Sequence, residues 1–209
     1  MGWTIDDVTR AVARAQERMG SLEQELNEAD SRLGDGDTGS MLARVVERMS
    51  ATDLAQAADV GAALGLLARS TLSATGSSLG TLIATALMTM SRQTKGQAEV
   101  AWADLSGLLS AARDAMIARG GAQLGDKTVL DALDAVASAI SGQDDGSAVA
   151  TKARAAAHEA LDRFRAQPCR IGRARMFPEK SVGSDDPGML AFVRMTDAIA
   201  VAPNAATAS

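Results

Sequence analysis

The sequence has almost no aromatic residues: three Phe, two Trp and no Tyr in 209 residues, or 2% of the chain. Hydrophobic residues nevertheless make up 46% of it. A core must therefore be built mainly from Ala, Leu, Val and Met. Ala, Leu and Met favour helices, whereas strands are enriched in aromatic and β-branched residues. The composition thus favours an all-α fold over a β-sandwich.

Other absences narrow the range of possible functions and partners. Cys169 is the only cysteine, which excludes an intrachain disulfide and agrees with the reducing cytoplasm. The net charge is −5 and no basic block is present, which argues against nucleic acid as a partner. The N-terminus lacks the basic and apolar regions of a signal peptide. The most apolar segment, 79–90, is shorter than the roughly 20 residues that cross a membrane. We therefore predict a cytoplasmic protein with no nucleic-acid or membrane partner.

Apolar residues at helical spacing predict a series of helices. Thr4 and Asp7 have the spacing of a capping box that opens the first helix, and Gly20 is predicted to end it. No segment alternates as a strand does over a useful length. The pattern predicts a single helical domain over residues 1–201, with about eight helices, and a flexible tail over 202–209. After the first, helices are predicted at 21–33, 41–49, 53–69, 79–90, 100–119, 127–140, 147–165 and 188–201.

The sharpest polar cluster is the glycine-rich segment that contains Asp30, Asp35 and Asp37. Clustered carboxylates repel one another unless a cation neutralises them, and hard oxygen ligands select Mg²⁺ or Ca²⁺. An EF-hand is excluded, because Ser40 and Val46 stand where that loop requires Gly and Glu. The three Asp can instead converge on a Mg²⁺ that keeps positions open for phosphate. Alternatively, Asp35 and Asp37 only form turns or cap the next helix, and spacing alone leaves both interpretations open.

Three further loops are rich in small polar and charged residues: 73–81, 125–128 and 172–188. The first leads into a helix whose N-terminus can bind phosphate, but it is not a Walker A loop because no Lys follows its glycines. Lys127, in the second, can contact phosphate, although a surface lysine is the simpler interpretation. The third carries three positive charges that can close over an anion. Taken singly, each is more simply an ordinary polar connection.

No arrangement typical of a nucleophile and its base is evident, so we predict neither a catalytic nucleophile nor a catalytic base. An enzyme without them needs a reaction that depends on positioning and on charge stabilisation. Phosphoryl transfer is such a reaction.

Four segments in order resemble the L subunit of bacterial dihydroxyacetone kinase, equivalent to the C-terminal domain of single-chain forms. They are 26–37, 74–76, 125–132 and 172–188. The resemblance covers nearly the full length and implies an eight-helix antiparallel barrel with ADP or ATP bound by loops at one end. It implies two Mg²⁺ ions held by Asp30, Asp35 and Asp37. The implied nucleotide contacts are Thr38, Gly39, Ser40, Met41, Ala74, Thr75, Gly120, Val129, Arg173, Asp186, Pro187 and Gly188.

The resemblance also implies an activity. A phosphoryl group passes from the Mg-bound nucleotide to dihydroxyacetone, or a related short ketose, held by a separate K subunit. In many bacteria ADP stays bound and is recharged by a phosphotransferase-system protein, whereas others use ATP directly. The chain departs from the family at Thr38, Met41 and Thr75, where His, Asn and Ser are usual. A non-catalytic ADP-binding regulatory protein of the same fold is therefore the alternative, and homodimer formation stays open.

Overall fold

The computed structural model of this protein describes residues 2–176 and 178–200. Residue 201 and the tail predicted at 202–209 lie outside the described residues. In that part of the chain, eight helices have eleven or more residues and α8 is a single turn, so the all-α prediction is confirmed. The helices are α1 (Ile5–Ser31), α2 (Thr38–Ser50), α3 (Val60–Ala74), α4 (Ser78–Gln93), α5 (Leu105–Gly120), α6 (Val129–Ala139), α7 (Gly146–Arg165), α8 (Pro178–Ser181) and α9 (Pro187–Ile199).

The long helices form a closed ring. Each of α1 to α6 packs against the next, α7 packs against α9, and α9 packs against α1. Helices α1 and α9 are antiparallel, because Glu25 pairs with Arg194 while Arg14 reaches the carbonyl of Ile199. The eight-helix antiparallel barrel is therefore confirmed. Since direction alternates around the ring, the α1–α2, α3–α4, α5–α6 and α7–α9 connections all emerge at one end, called here the upper end.

The core consists of small and aliphatic side chains, as the composition requires. Leu26, Val45, Ala157, Met189 and Val193 belong to the main cluster inside the barrel. Smaller clusters lie around Trp3, Val60 and Val100 and around Met116, Val129 and Leu130. Burying such side chains contributes about 1.5–3 kcal/mol for each Val, Leu or Met. Within the described residues, no helix combines the length and the apolarity that a membrane crossing requires.

The first predicted helix boundary is wrong. Gly20 does not end a helix, because α1 runs without interruption from Ile5 to Ser31 and replaces two predicted helices. The buried face of α1 continues through Met19 and Leu26 on either side of Gly20, which is itself exposed. A glycine inside a helix costs only about 1 kcal/mol, and packing of the continuous apolar face offsets that cost.

A small antiparallel sheet was missed in the sequence. Gly2–Thr4 (β1) pairs antiparallel with Glu99–Ala101 (β2). The buried Trp3 and Val100 face each other in this pair and cover the lower end of the barrel. The helix predicted from residue 100 consequently begins at Leu105, and α3 begins at Val60 rather than at Asp53. Three-residue strands are too short to show alternation in the sequence.

Candidate functional site

Specific contacts join the connections at the upper end. Leu33 of the α1–α2 turn packs with Cys169 and Ala174 of the α7–α9 connection. The amide of Arg170, in that same connection, donates to the carbonyl of Asp126 at 3.1 Å. Further around the ring, a side chain at Gly120 would contact Leu82 of α4. The glycine-rich segments singled out in the sequence thus surround one end of the barrel.

At this end Asp30, Asp35 and Asp37 form what we call the carboxylate triad. Each offers one carboxylate oxygen, and these oxygens all lie within 4.8 Å of one another. Asp30 is buried, whereas Asp35 and Asp37 are exposed. The triad therefore has a fixed base in the protein and an open side toward solvent.

The turn is built around the side chain of Asp30. Its Oδ2 accepts hydrogen bonds from the amides of Asp37 (3.0 Å) and Thr38 (3.2 Å), which brings the end of the turn back over the end of α1. Gly34 passes so close to Asp30 that a Cβ at this position would overlap the carboxylate. Gly36 has φ +77°, a conformation that favours glycine. Both glycines are thus needed for the shape of the turn.

Asp37 precedes α2 as its N-cap residue, but its carboxylate accepts no capping hydrogen bond. The interpretation of Asp37 as a simple helix cap is therefore wrong. Three converging carboxylate oxygens are the hard donors that Mg²⁺ prefers, and Mg²⁺ takes about six oxygen ligands. The triad thus fits a divalent cation that shares its remaining ligand positions with water or phosphate.

The first turn of α2 is fixed against α1. Ser40 accepts from Asn27 Nδ2 at 2.9 Å and donates through its hydroxyl to Glu23 at 2.7 Å, while its amide donates to Asn27 Oδ1 at 3.0 Å. These roles of Glu23 and Asn27 were missed in the sequence, although with Asp30 they form a polar stripe at helical spacing. Met41 is only 2% exposed and lies in the core, so its side chain faces away from the site.

The α3–α4 connection places Ala74 at the end of α3 and Thr75 immediately after it; both are half-buried. The hydroxyl of Thr75 accepts from the amide of Ser77 at 3.0 Å, and Ser77 in turn caps α4 by accepting from the amide of Gly80. A side chain at Gly80 would overlap Thr75. The connection is therefore a tight, hydrogen-bonded turn that leads into the N-terminus of α4.

The α5–α6 connection runs from exposed Gly120 to buried Val129. Buried Asp131 organises it by accepting from the amides of Gly125 (2.6 Å) and Thr128 (2.8 Å). Burial raises the pKa of Asp131. The expectation that Lys127 lies at the surface is wrong, because its side chain is only 1% exposed.

The α7–α9 connection contains a short 3₁₀ turn, Arg173–Met176, and the single turn α8. The side chain of Arg173 lies outside the described part of the structure. Asp186 caps α9 by accepting from the amide of Met189 at 2.8 Å, and burial raises the pKa of Asp186 to about 6. Pro187 is buried at the first position of α9, and Gly188 lies beside Val129. The starts of α6 and α9 are therefore neighbours.

Comparison with known proteins agrees with this architecture. The sequence model of the DAK2 domain matches residues 32–201. The chain is 35% identical over 187 residues to L-erythrulose 1-kinase of Mycolicibacterium smegmatis, covering 85% of this chain and 32% of that protein. It is 29% identical over 189 residues to the ADP-binding subunit of the PTS-dependent dihydroxyacetone kinase of Lactococcus lactis, covering 88% of this chain and 91% of that subunit.

A solved structure shares the fold. The dihydroxyacetone kinase of C. freundii, in complex with AMP-PNP and Mg²⁺, superposes with a TM-score of 0.73 at 23% identity. The match covers 96% of this chain and 34% of that one. This chain therefore spans about a third of two of the kinases that it resembles, and nearly all of a separate subunit.

Proposed function

The chain belongs to the DAK2 domain family, and from this membership we propose that it is the nucleotide-binding subunit of a kinase that phosphorylates dihydroxyacetone or a related short ketose. The observation that carries the proposal is the convergence of the carboxylate triad within 4.8 Å at the upper end of the barrel. The relatives support it, since one is named an ADP-binding subunit and another an L-erythrulose kinase.

In this proposal Asp30, Asp35 and Asp37 hold two Mg²⁺ ions, which when bound neutralise the charge of the nucleotide phosphates. The N-termini of α2 and α4 lie at the upper end and favour an anion there, because a helix N-terminus carries a partial positive charge. The start of α9 and its neighbour Val129 border the rest of an ADP or ATP molecule. The protein thereby positions the phosphates and screens their charge, with no nucleophile of its own.

The ketose is held by a separate K-type subunit. Three large hydrophobic side chains in the connections at the upper end are exposed to solvent and offer apolar surface that a partner can cover. They are Leu124 (46% exposed), Met176 (70%) and Val182 (48%). A partner docked there would face the triad. We propose that the complex works in the cytoplasm and that its nucleotide is either exchanged as ATP or recharged in place by a phosphotransferase-system protein.

The proposal is tested with Asp35→Asn, and with Asp144→Asn as the matched control, because Asp144 is an exposed carboxylate at the lower end. Binding of ADP in the presence of Mg²⁺ is measured by calorimetry, and phosphoryl transfer to dihydroxyacetone and erythrulose is measured with a K-type subunit. Loss of even a supporting group at a metal site costs about 10- to 100-fold in affinity. Asp35→Asn should therefore lose at least tenfold in nucleotide affinity and lose transfer, whereas Asp144→Asn should match the wild type.

Full transfer by Asp35→Asn would contradict the proposal. So would a wild-type protein that binds no nucleotide with Mg²⁺. Binding of Mg-ADP without transfer to either ketose, with any K-type subunit, would instead identify the non-catalytic ADP-binding protein named above as the alternative.

A further inference from the structure

Lys127 is the largest fully buried side chain in the described part of the chain. Its ammonium group donates to three main-chain carbonyls: those of Ser181 (2.7 Å), Gln167 (2.8 Å) and Arg165 (3.2 Å). An ammonium group has three hydrogens, so these bonds use its full donor capacity. Lys127 therefore cannot serve as a phosphate ligand in this arrangement.

Both the burial and the backbone conformation of Lys127 are unfavourable. A buried ammonium group loses its hydration, and this burial lowers the pKa of Lys127 although Asp185 and Asp186 lie nearby. In addition, Lys127 is the only non-glycine residue with positive φ (+62°) among those that the structure describes. L-residues avoid this conformation, and it recurs where the surrounding structure or a function requires it.

The three carbonyls belong to one segment, residues 165–186, called here the α7–α9 loop. Arg165 and Gln167 lie at its start and Ser181 lies near its end, so Lys127 joins the two ends of the loop. Two hydrogen bonds within the loop join the same two ends. The amide of Gly183 donates to the carbonyl of Arg165 (2.8 Å), and the amide of Cys169 donates to the hydroxyl of Ser181 (2.8 Å). Lys127 is thus the centre around which the loop is folded.

The loop also contacts two borders of the candidate site, the turn of the carboxylate triad and the start of α9. At one side Cys169 packs against Leu33 in the turn of the carboxylate triad. At the other side the loop ends in Asp186, which caps α9. Any opening of the loop moves both borders of the site at once. Loops of this length are commonly mobile unless specific contacts order them.

We propose that Lys127 is a positioning residue: it acts as an internal cation that holds the α7–α9 loop closed over the bound nucleotide, and it thereby sets the rate at which the nucleotide leaves. This inference rests on the proposed nucleotide binding. All three hydrogen bonds of the Lys127 ammonium group go to carbonyls of the loop, so its effect passes through the loop. Without the ammonium group, the carbonyls of Ser181 and Gln167 lose this donor and the carbonyl of Arg165 keeps only the bond from Gly183, so opening of the loop to water restores hydrogen bonds that the closed loop lacks.

The test compares Lys127→Met, which keeps the apolar stem, with Lys152→Met, which makes the same change at an exposed position on α7. Association and dissociation of a fluorescent ADP analogue with Mg²⁺ are measured by stopped flow. Lys127→Met should raise the dissociation rate constant at least tenfold and change the association rate constant less than threefold. Lys152→Met should change neither. A wild-type dissociation rate in folded Lys127→Met would overturn the inference, whereas absence of binding to the wild type would overturn the proposed function instead.

Wild-type protein provides a second measurement if Lys127→Met does not fold. The amides of Cys169 and Gly183 are bonded inside the loop, whereas that of Ala148 donates to Asp145, the N-cap residue of α7 at the lower end. Bound Mg-ADP should slow hydrogen exchange at the first two amides at least tenfold and leave Ala148 unchanged. Unchanged exchange at Cys169 and Gly183 would show that the loop does not close over the nucleotide.

Discussion

Gly39 decides how closely α2 can approach α1 beneath the carboxylate triad. A Cβ at this position would overlap the carbonyl oxygen of Glu23 and lie 2.8 Å from Asn27 Oδ1. The first obstacle is main chain and cannot rotate away. Gly39→Ala should therefore push the first turn of α2 outward by roughly 1 Å, because packed interiors have no spare volume to absorb a methyl group.

Overpacking of this kind costs about 1–3 kcal/mol, and alanine recovers up to about 1 kcal/mol through its helix propensity. Because the first obstacle is main chain, the cost should be near the upper end, about 3 kcal/mol, which leaves a net loss of about 2 kcal/mol for Gly39→Ala. The matched control is Gly20→Ala in the middle of α1, where nothing lies within 4 Å of the new methyl group. There only the propensity acts, so the control should gain about 0.5–1 kcal/mol.

The assay is urea unfolding followed by circular dichroism, with nucleotide affinity measured on the same samples. A misplacement of about 1 Å at a site can cost about 100-fold in activity. Gly39→Ala should thus lose both stability and nucleotide affinity, and Gly20→Ala should lose neither. If the two variants unfold at the same urea concentration, the close approach of α1 and α2 is not the reason for glycine at position 39.

Two other substitutions test how a buried carboxylate and a buried, unpaired N–H group affect the stability of the fold. Burial raises the pKa of Asp186 to about 6, so its protonated form favours the folded state; this contribution is complete below about pH 4 and is lost as pH rises through about 6. Asp186→Asn keeps the cap. It should be more stable than wild type by about 1–3 kcal/mol at pH 7 and equally stable near pH 4. An equal gain in stability at both pH values would contradict this explanation. The indole N–H of Trp3 is buried without a partner among the described residues. Trp3→Phe removes that unpaired donor and should cost less than about 1 kcal/mol in thermal unfolding, whereas a loss near the 3–5 kcal/mol of an alanine truncation would show that the donor is satisfied.

Much of the site could be predicted because its parts are local in sequence. Glycines at 34 and 36 mark a turn, and Asp30, Asp35 and Asp37 are close enough along the chain to meet in it. The sequence left open whether Asp37 caps α2. That question is decided by Asp30, which is buried in the turn and takes the amides of Asp37 and Thr38 on its own carboxylate.

The roles of Lys127 and Gly20 could not be predicted in the same way. Gly20 has the local preference of a helix terminus, but α1 continues because its buried face packs along the whole barrel. Lysine usually lies at the surface, but Lys127 is held inside by bonds to distant residues. One partner, Ser181, is 54 residues away in the sequence. Local preferences of about 1 kcal/mol are outweighed by such long-range packing.

The sequence alone determined the composition of the core, the alternation of helices with glycine-rich connections, and the carboxylates of the triad. Each of these follows from side-chain chemistry or from spacing within a few residues. The tertiary structure decided which connections share an end, that β1 meets β2 across 97 residues, and that a lysine lies at the centre of the α7–α9 loop. These features depend on the antiparallel closure of the ring, which brings residues that are distant in the sequence into contact. Contacts from the whole chain therefore decide whether a given residue is buried.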